Sequence, residues 1–178
     1  IQEVKPDIVL VHGDTSTTFA GALAAYYNQT AVGHVEAGLR TYNKYSPYPE
    51  ELNRQMVGVI ADMHFAPTEK SASNLLNEGK RKENIYITGN TAIDAMKHTV
   101  SENYSHEVLD WVGDDRMILL TAHRRENLGE PMYHIFRAIR RIVEEFEDVK
   151  VVYPIHMNPK VRSVASEVLN GCERVRLI

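Results

Sequence analysis

The sequence predicts an α/β fold built on parallel sheets. Two observations lead there. Short apolar runs alternate with helical patterns along the whole chain, and the first of them, the end of "VKPDIVLV", is apolar on consecutive residues instead of every second one. Consecutive apolar residues suit strands buried on both faces, and a strand–helix–strand repeat returns each strand parallel to the last. Helices on both faces of the sheets are therefore expected.

The elements follow in order. Val4 to Val11 ("VKPDIVLV") ends in a strand run, "GDTSTT" turns the chain, and "FAGALAAYYNQ" is an Ala-rich helix. Thr30 to Val35 is a second strand. Gly38 to Pro49 is a loop carrying Tyr42, Tyr45 and Tyr48. A helix opens at Pro49, since proline suits a first helical turn, and its Leu52, Met56 and Val59/Ile60 share one face at helical spacing. "MHFAP" is a short strand. "TEKSASNLLNEG" is a helix with Thr68 as cap and Gly79 as stop. "NIYITG" and "TAIDAMKHTV" give another strand and helix.

Ser101 to Asp115 is polar without clear period, and this segment or the turn at Gly89 marks a domain boundary. The division expected is 1–90 and 91–178. Beyond it, "MILLTA" is a strand. Met132 to Phe146 is an amphipathic helix with Ile135, Ile139, Ile142 and Phe146 on its stripe. "VKVVYPI" is a strand, Pro159 to Asn170 a helix and "RVRLI" a strand. The chain opens on Ile1 close to a strand and stops on one, so it is expected to be an internal piece of a longer protein.

Composition narrows the function classes. The 178 residues are 43% hydrophobic and 25% charged, ordinary for a globular chain. A net charge of −4 argues against nucleic acid, which favours a basic face. No apolar run approaches the roughly 18 residues of a membrane span, and no signal-peptide pattern is present. Cys172 is the single cysteine, so no internal disulfide forms. A cytoplasmic protein is the expectation.

Ligands of open parallel sheets bind outside the carboxyl ends of the strands. Past "DIVLV" come His12, Gly13 and Asp14; past "AVGHV" comes Glu36. Past "MILLTA" come His123, Arg124, Arg125, Glu126 and Asn127; past "VVYPI" come His156 and Asn158. Four strands thus deliver titratable groups to the same end. Each residue has a plainer role available. Asp14 can cap the following helix. Glu36 can pair with Arg40 or Arg54. Glu50 and Glu51 both sit in a first helical turn, where the helix dipole favours acids, and spacing does not choose between them. His123 and His156 can be structural. Two arginines directly after an apolar strand also suit a phosphate, held by bidentate guanidinium contacts.

His12 with Asp14, and His34 with Glu36, are i, i+2 pairs that face the same way on a strand. No H-E-x-x-H or cysteine ligand set accompanies them, so no metal site is expected. There is no G-x-G-x-x-G for a dinucleotide and no G-x-S-x-G elbow.

Taken together, "VLVHGDTSTTFAGALAAYY", "GHVEAGLRT", "PYPEELNRQM", "ADMHFAPT", "ITGNTAIDA", "TAHRREN" and "YPIHMNP" resemble the non-hydrolysing UDP-N-acetylglucosamine 2-epimerases, in order over nearly the whole chain. The resemblance implies two Rossmann-like domains in a GT-B-like arrangement, both incomplete here, with the active site in the cleft between them. It implies interconversion of UDP-N-acetylglucosamine and UDP-N-acetylmannosamine for cell-envelope polysaccharide synthesis, with no cofactor, by a family commonly dimeric. It assigns Asp14, Glu36 and Glu50 to acid–base work and His123 to the leaving group. Asp14, Glu36, His123, Arg124, Arg125 and Asn127 would contact the substrate. Arg124 and His156 match positions where some members bind a second, activating UDP-N-acetylglucosamine. The family's opening strand, its Gly-Thr-Arg-Pro-Glu loop and its late uracil-holding segments are missing, so these residues alone are expected to be inactive. A hydrolysing relative that releases N-acetylmannosamine and UDP, and a GT-B glycosyltransferase, are the alternatives. The intact "TAHRREN" favours the non-hydrolysing branch.

Overall fold

In the computed structural model, which describes residues 1–178, strands and helices alternate except between the fourth and fifth strands, where two helices follow each other. The first sheet joins β1 (Ile8–His12), β2 (Ala31–Val35), β3 (Met63–Ala66) and β4 (Ile85–Ile87), all parallel and side by side in chain order. Its helices are α1 (Ser16–Tyr27), α2 (Glu50–Ile60), α3 (Glu69–Asn77) and α4 (Thr91–Thr99). After α5 (Glu107–Val112), the second sheet joins β5 (Arg116–Leu119), β6 (Val149–Tyr153) and β7 (Val175–Leu177), again parallel and in order. α6 (Glu130–Glu145) and α7 (Pro159–Leu169) connect them. No helix is long and apolar enough to cross a membrane.

The chain divides into two units, Ile1–Ser101 and Glu102–Ile178. The division falls at the start of the polar segment and leaves α4 with the first unit, where the sequence reading had begun the second domain at residue 91. Short helix α5 lies inside that segment, whose sequence shows no clear period. It has a single helical turn and a half, too short for a visible period, and is held by Val108 and Val112 packed on Val152.

In the first unit, helices cover one face and not both. Val11 pairs with His34, and His34 with His64, so Val11, Val32, His34, His64 and Ala66 share a face. Ala22 and Ala25 of α1 and Val57 of α2 pack on Val11 and Val32; Ala72 and Leu75 of α3 cluster with Ala66. Strands added in one direction, each through a crossover of the same hand, put every connecting helix on the same side. The opposite face carries Leu10, Phe65 and Tyr86; Leu10 is 61% exposed and Tyr86 46%, and the Phe65 and Tyr86 rings stack with centroids 5.6 Å apart. In the second unit α6 and α7 cover one face, through Phe136, Ile139, Val161 and Ala165 against Val149, Val151 and Tyr153, and α5 covers the other.

Two helical faces differ from the sequence pattern. On α2 Leu52, Met56 and Val59 of the stripe face outward, with Val59 71% exposed, while Ile60 packs against the core and the buried residues are Glu51, Asn53, Val57 and Gly58. On α6 the buried line is Met132, Phe136, Ile139 and Val143; Ile135 and Ile142 flank it, and Phe146 caps the helix at its exposed end. Thr68 and Gly79 bound α3 as the sequence suggested: the Thr68 hydroxyl accepts from the Ser71 N–H, and Gly79 adopts a φ of +78°.

Candidate functional site

The turn after β1 is held from three directions. The carbonyls of His12, Gly13 and Asp14 each accept a hydrogen bond from a side chain on a different element. Thr18 of α1 reaches His12 at 2.6 Å, His34 Nε2 of β2 reaches Gly13 at 2.8 Å, and Asn53 of α2 reaches Asp14 at 2.9 Å. Gly13, at φ +71°, makes the reversal, and its N–H extends the ladder to the Val35 carbonyl. Asp14 does not cap α1. Thr15 does, accepting from the Thr18 N–H at 3.2 Å. The Asp14 carboxylate instead points to Arg54, with Oδ2 2.8 Å from Nη2.

Glu36 follows β2 with φ +66°, a left-handed conformation rarely adopted by a residue with a side chain and one that clusters at functional sites. A Cβ placed on Gly13 would lie 3.4 Å from Glu36 Oε2, so the carboxylate lies against the Gly13 turn. Neither arginine suggested by the sequence pairs with it. Arg40 is buried in a two-pronged contact with Glu78, at 2.7 and 2.8 Å, and Arg54 is on Asp14. The nearest cation-forming group to Glu36 is His12, whose Nε2 is 3.9 Å away and also 3.3 Å from the Thr91 hydroxyl.

The structure separates Glu50 from Glu51. Glu51 is fully buried; its carboxylate accepts from the Thr41 and Tyr42 N–H groups and from Gln55. Burial alone would raise its pKa. The hydrogen bonds from Thr41, Gln55 and Tyr42, with the Arg54 charge, outweigh that and hold it below the ordinary carboxylate value. Glu50, one residue earlier, is partly exposed, and its carboxylate is engaged in no hydrogen bond or ion pair.

Beneath the turn, His34 and His64 lie side by side on β2 and β3, both buried. Burial lowers the pKa of His34, against the opposing effect of its Gly13 bond. Burial also pushes His64 down to about 4, helped by the charges of Lys80 and Arg40. Both are neutral imidazoles at pH 7.

In the second unit, the chain after β5 is fixed by Tyr153, whose hydroxyl donates to the Ala122 carbonyl at 2.6 Å. His123 follows directly. Its ring stacks on His156, centroids 5.0 Å apart and 19° between planes. The Asn158 N–H donates to His156 Nδ1 at 3.0 Å, so the ring's proton sits on Nε2. Arg124 and Arg125, at the start of a short 3-10 turn ending at Asn127, are exposed and free of carboxylates. Nowhere do three His, Cys, Asp or Glu side chains gather closely enough to hold a metal ion.

The UDP-N-acetylglucosamine 2-epimerase family model matches residues 1–178. The chain belongs to that family. A UDP-N-acetylglucosamine 2-epimerase of Bacillus subtilis is 68% identical over 177 residues, 99% of this chain and 47% of the relative. The S. aureus MnaA–UDP structure is 62% identical with a TM-score of 0.97, covering 100% of this chain and 49% of that one. The Neisseria meningitidis UDP-GlcNAc 2-epimerase, solved bound to UDP-GlcNAc, is 44% identical with a TM-score of 0.92, covering 99% and 50%. The chain thus spans about half the length of the relatives it matches. Of the residues that hold Asp14, the sequence did not single out Asn53 and offered Arg54 as a partner of Glu36 instead. Asn53 and Arg54 lie 39 and 40 positions downstream of it, too far for any local pattern, and His34 reads as one half of a His–Glu pair until its partner is seen to be a carbonyl.

Proposed function

We propose that the protein carrying this chain epimerises C2 of UDP-N-acetylglucosamine, giving UDP-N-acetylmannosamine. C2 is not next to a carbonyl, so no simple enolate is available. The route is elimination: the C2 proton leaves as the anomeric C–O bond to UDP breaks, giving a 2-acetamidoglucal and UDP. Re-addition of UDP with protonation of the other face completes the inversion. Asp14, Glu36 and Glu50 serve as the acid–base groups, each worth about 10²–10⁴-fold when well positioned. His123, Arg124, Arg125 and Asn127 hold the diphosphate as charge builds on it. Arg124 and His156 also suit a second, activating UDP-N-acetylglucosamine, and a cytoplasmic homodimer is the working form.

The observation that carries this reading is the different company of the carboxylates around the β1 turn. Asp14 is paired with a guanidinium, while Glu36 and Glu50 have no arginine or lysine. Carboxylates in unlike surroundings can divide the tasks of taking and returning a proton.

The test is incubation of the full-length protein with UDP-N-acetylglucosamine in heavy water, following C2 by NMR. Deuterium at C2 with UDP-N-acetylmannosamine accumulating is the expected result. Free N-acetylmannosamine would move the protein to the hydrolysing branch. Absence of exchange and of any new sugar, in folded protein that binds UDP, would overturn the epimerase reading. In the same assay Glu36→Gln is expected to lower the rate by about 10²-fold or more with UDP binding retained.

A further inference from the structure

We infer that Glu51 is a positioning residue for this site, resting on the function proposed above. It is the buried anchor that fixes the loop joining Glu36 to Glu50 and the guanidinium that holds Asp14. Its carboxylate is fully buried and ties the loop to α2, its own helix. Oε2 accepts from the Thr41 N–H at 3.1 Å and Oε1 from the Tyr42 N–H at 2.9 Å, in the middle of the connection between the two glutamates. Oε1 also accepts from Gln55 at 2.8 Å, one turn along α2. Arg54 Nε lies 3.6 Å from Oε2. That nitrogen is buried and has no hydrogen bond of its own, so the Glu51 charge is what compensates it on that side. Its Nη2 end is the one that grips Asp14.

The loop has reason to need an anion there. Tyr42 sits at φ +60°, and successive backbone N–H groups brought together by such a conformation form a concavity that favours negative charge. Glu51 fills it from within. A residue that only filled space at this point in the core would be better apolar, because burying an ion costs more than packing a hydrocarbon of the same size. The loop is also pinned behind by Arg40, buried on Glu78 and against Gly58, whose added Cβ would lie 3.1 Å from Arg40 Nη2. With both anchors set, the loop leaves little freedom to the residues at either end, Glu36 and Glu50.

The variants are Glu51→Gln and Glu51→Asp in the full-length protein, alongside wild type. In Glu51→Gln one end of the side chain becomes an N–H₂ donor facing backbone donors, and the Arg54 guanidinium loses the negative charge beside it. The Thr41 and Tyr42 amides are expected to exchange with heavy water at least tenfold faster, read by mass spectrometry or NMR. The kcat is expected to fall roughly 10–100-fold, the scale of misplacing reacting groups by about an ångström, with KM for UDP-N-acetylglucosamine within threefold. Glu51→Asp keeps the charge one methylene short and recovers part of the loss; it also serves if the Gln variant does not fold. Unchanged exchange at both amides, or faster exchange with wild-type kcat, would overturn the inference. If wild type itself does not epimerise, the proposed function falls. Amide exchange then still decides whether Glu51 holds the loop, and unchanged exchange overturns the inference there too.

Discussion

Glu36 combines a left-handed backbone with a carboxylate, and the two pull in opposite directions. A side chain in that conformation costs about 1–2 kcal/mol, which glycine would avoid. Glu36→Gly is therefore expected to raise the unfolding free energy by about 0.5–1 kcal/mol, after the entropy glycine returns to the unfolded chain, and to abolish activity. Chemical denaturation of the variant checks the first part; a loss of stability would show that Glu36 side-chain contacts outweigh the strain. At this scale the sequence was informative about identity and silent about company. Asp14, Glu36, His123 and His156 could be singled out because each follows an apolar run. Which arginine meets which acid could not, because Asp14–Arg54 and Arg40–Glu78 join residues 40 and 38 positions apart.

The elements were legible wherever a period ran long enough, and misread where another force chose the face. α2 has an apolar stripe at helical spacing, yet the face turned inward carries Glu51, Asn53 and Val57, because those polar groups satisfy the loop and the Asp14 turn. Val59→Gln should thus change stability by less than about 0.5 kcal/mol, whereas Val57→Ala should cost about 2 kcal/mol. Equal costs in urea melts would restore the stripe as the core face. On the central strands, His64 makes stability depend on pH. Above pH 6.5 it is neutral both folded and unfolded. As the pH falls from 6.5 to about 4, the unfolded chain takes up a proton that the folded chain refuses, so stability is lost across that window. The loss is on the order of 3 kcal/mol at pH 4 from this residue, with a further contribution of the same sign from His34. Denaturation curves from pH 7.5 to 4.5 should show the slope, and His64→Leu should flatten it; an unchanged slope would clear His64 of the effect.

Across the whole molecule, the sequence conveyed strand–helix alternation and parallel sheets, but not which side of the first sheet the helices take. That depends on strand order, which no local pattern encodes. The outcome is a face bearing Leu10, Phe65 and Tyr86 with no helix over it. A chain of these 178 residues alone is expected to bind an apolar dye such as ANS while retaining near-UV dichroism, and Leu10→Glu should weaken that binding; dye binding at the level of an ordinary folded protein would argue that the face is closed over in solution. The bare face also bears on where a ligand can lodge. β1 has one free edge. A strand paired to that edge, with its helix laid over Leu10 and Tyr86, would reverse the direction in which the sheet grows. The reversal would fall beside β1, and the topological switch point it creates would open a crevice at the Gly13–Asp14 turn.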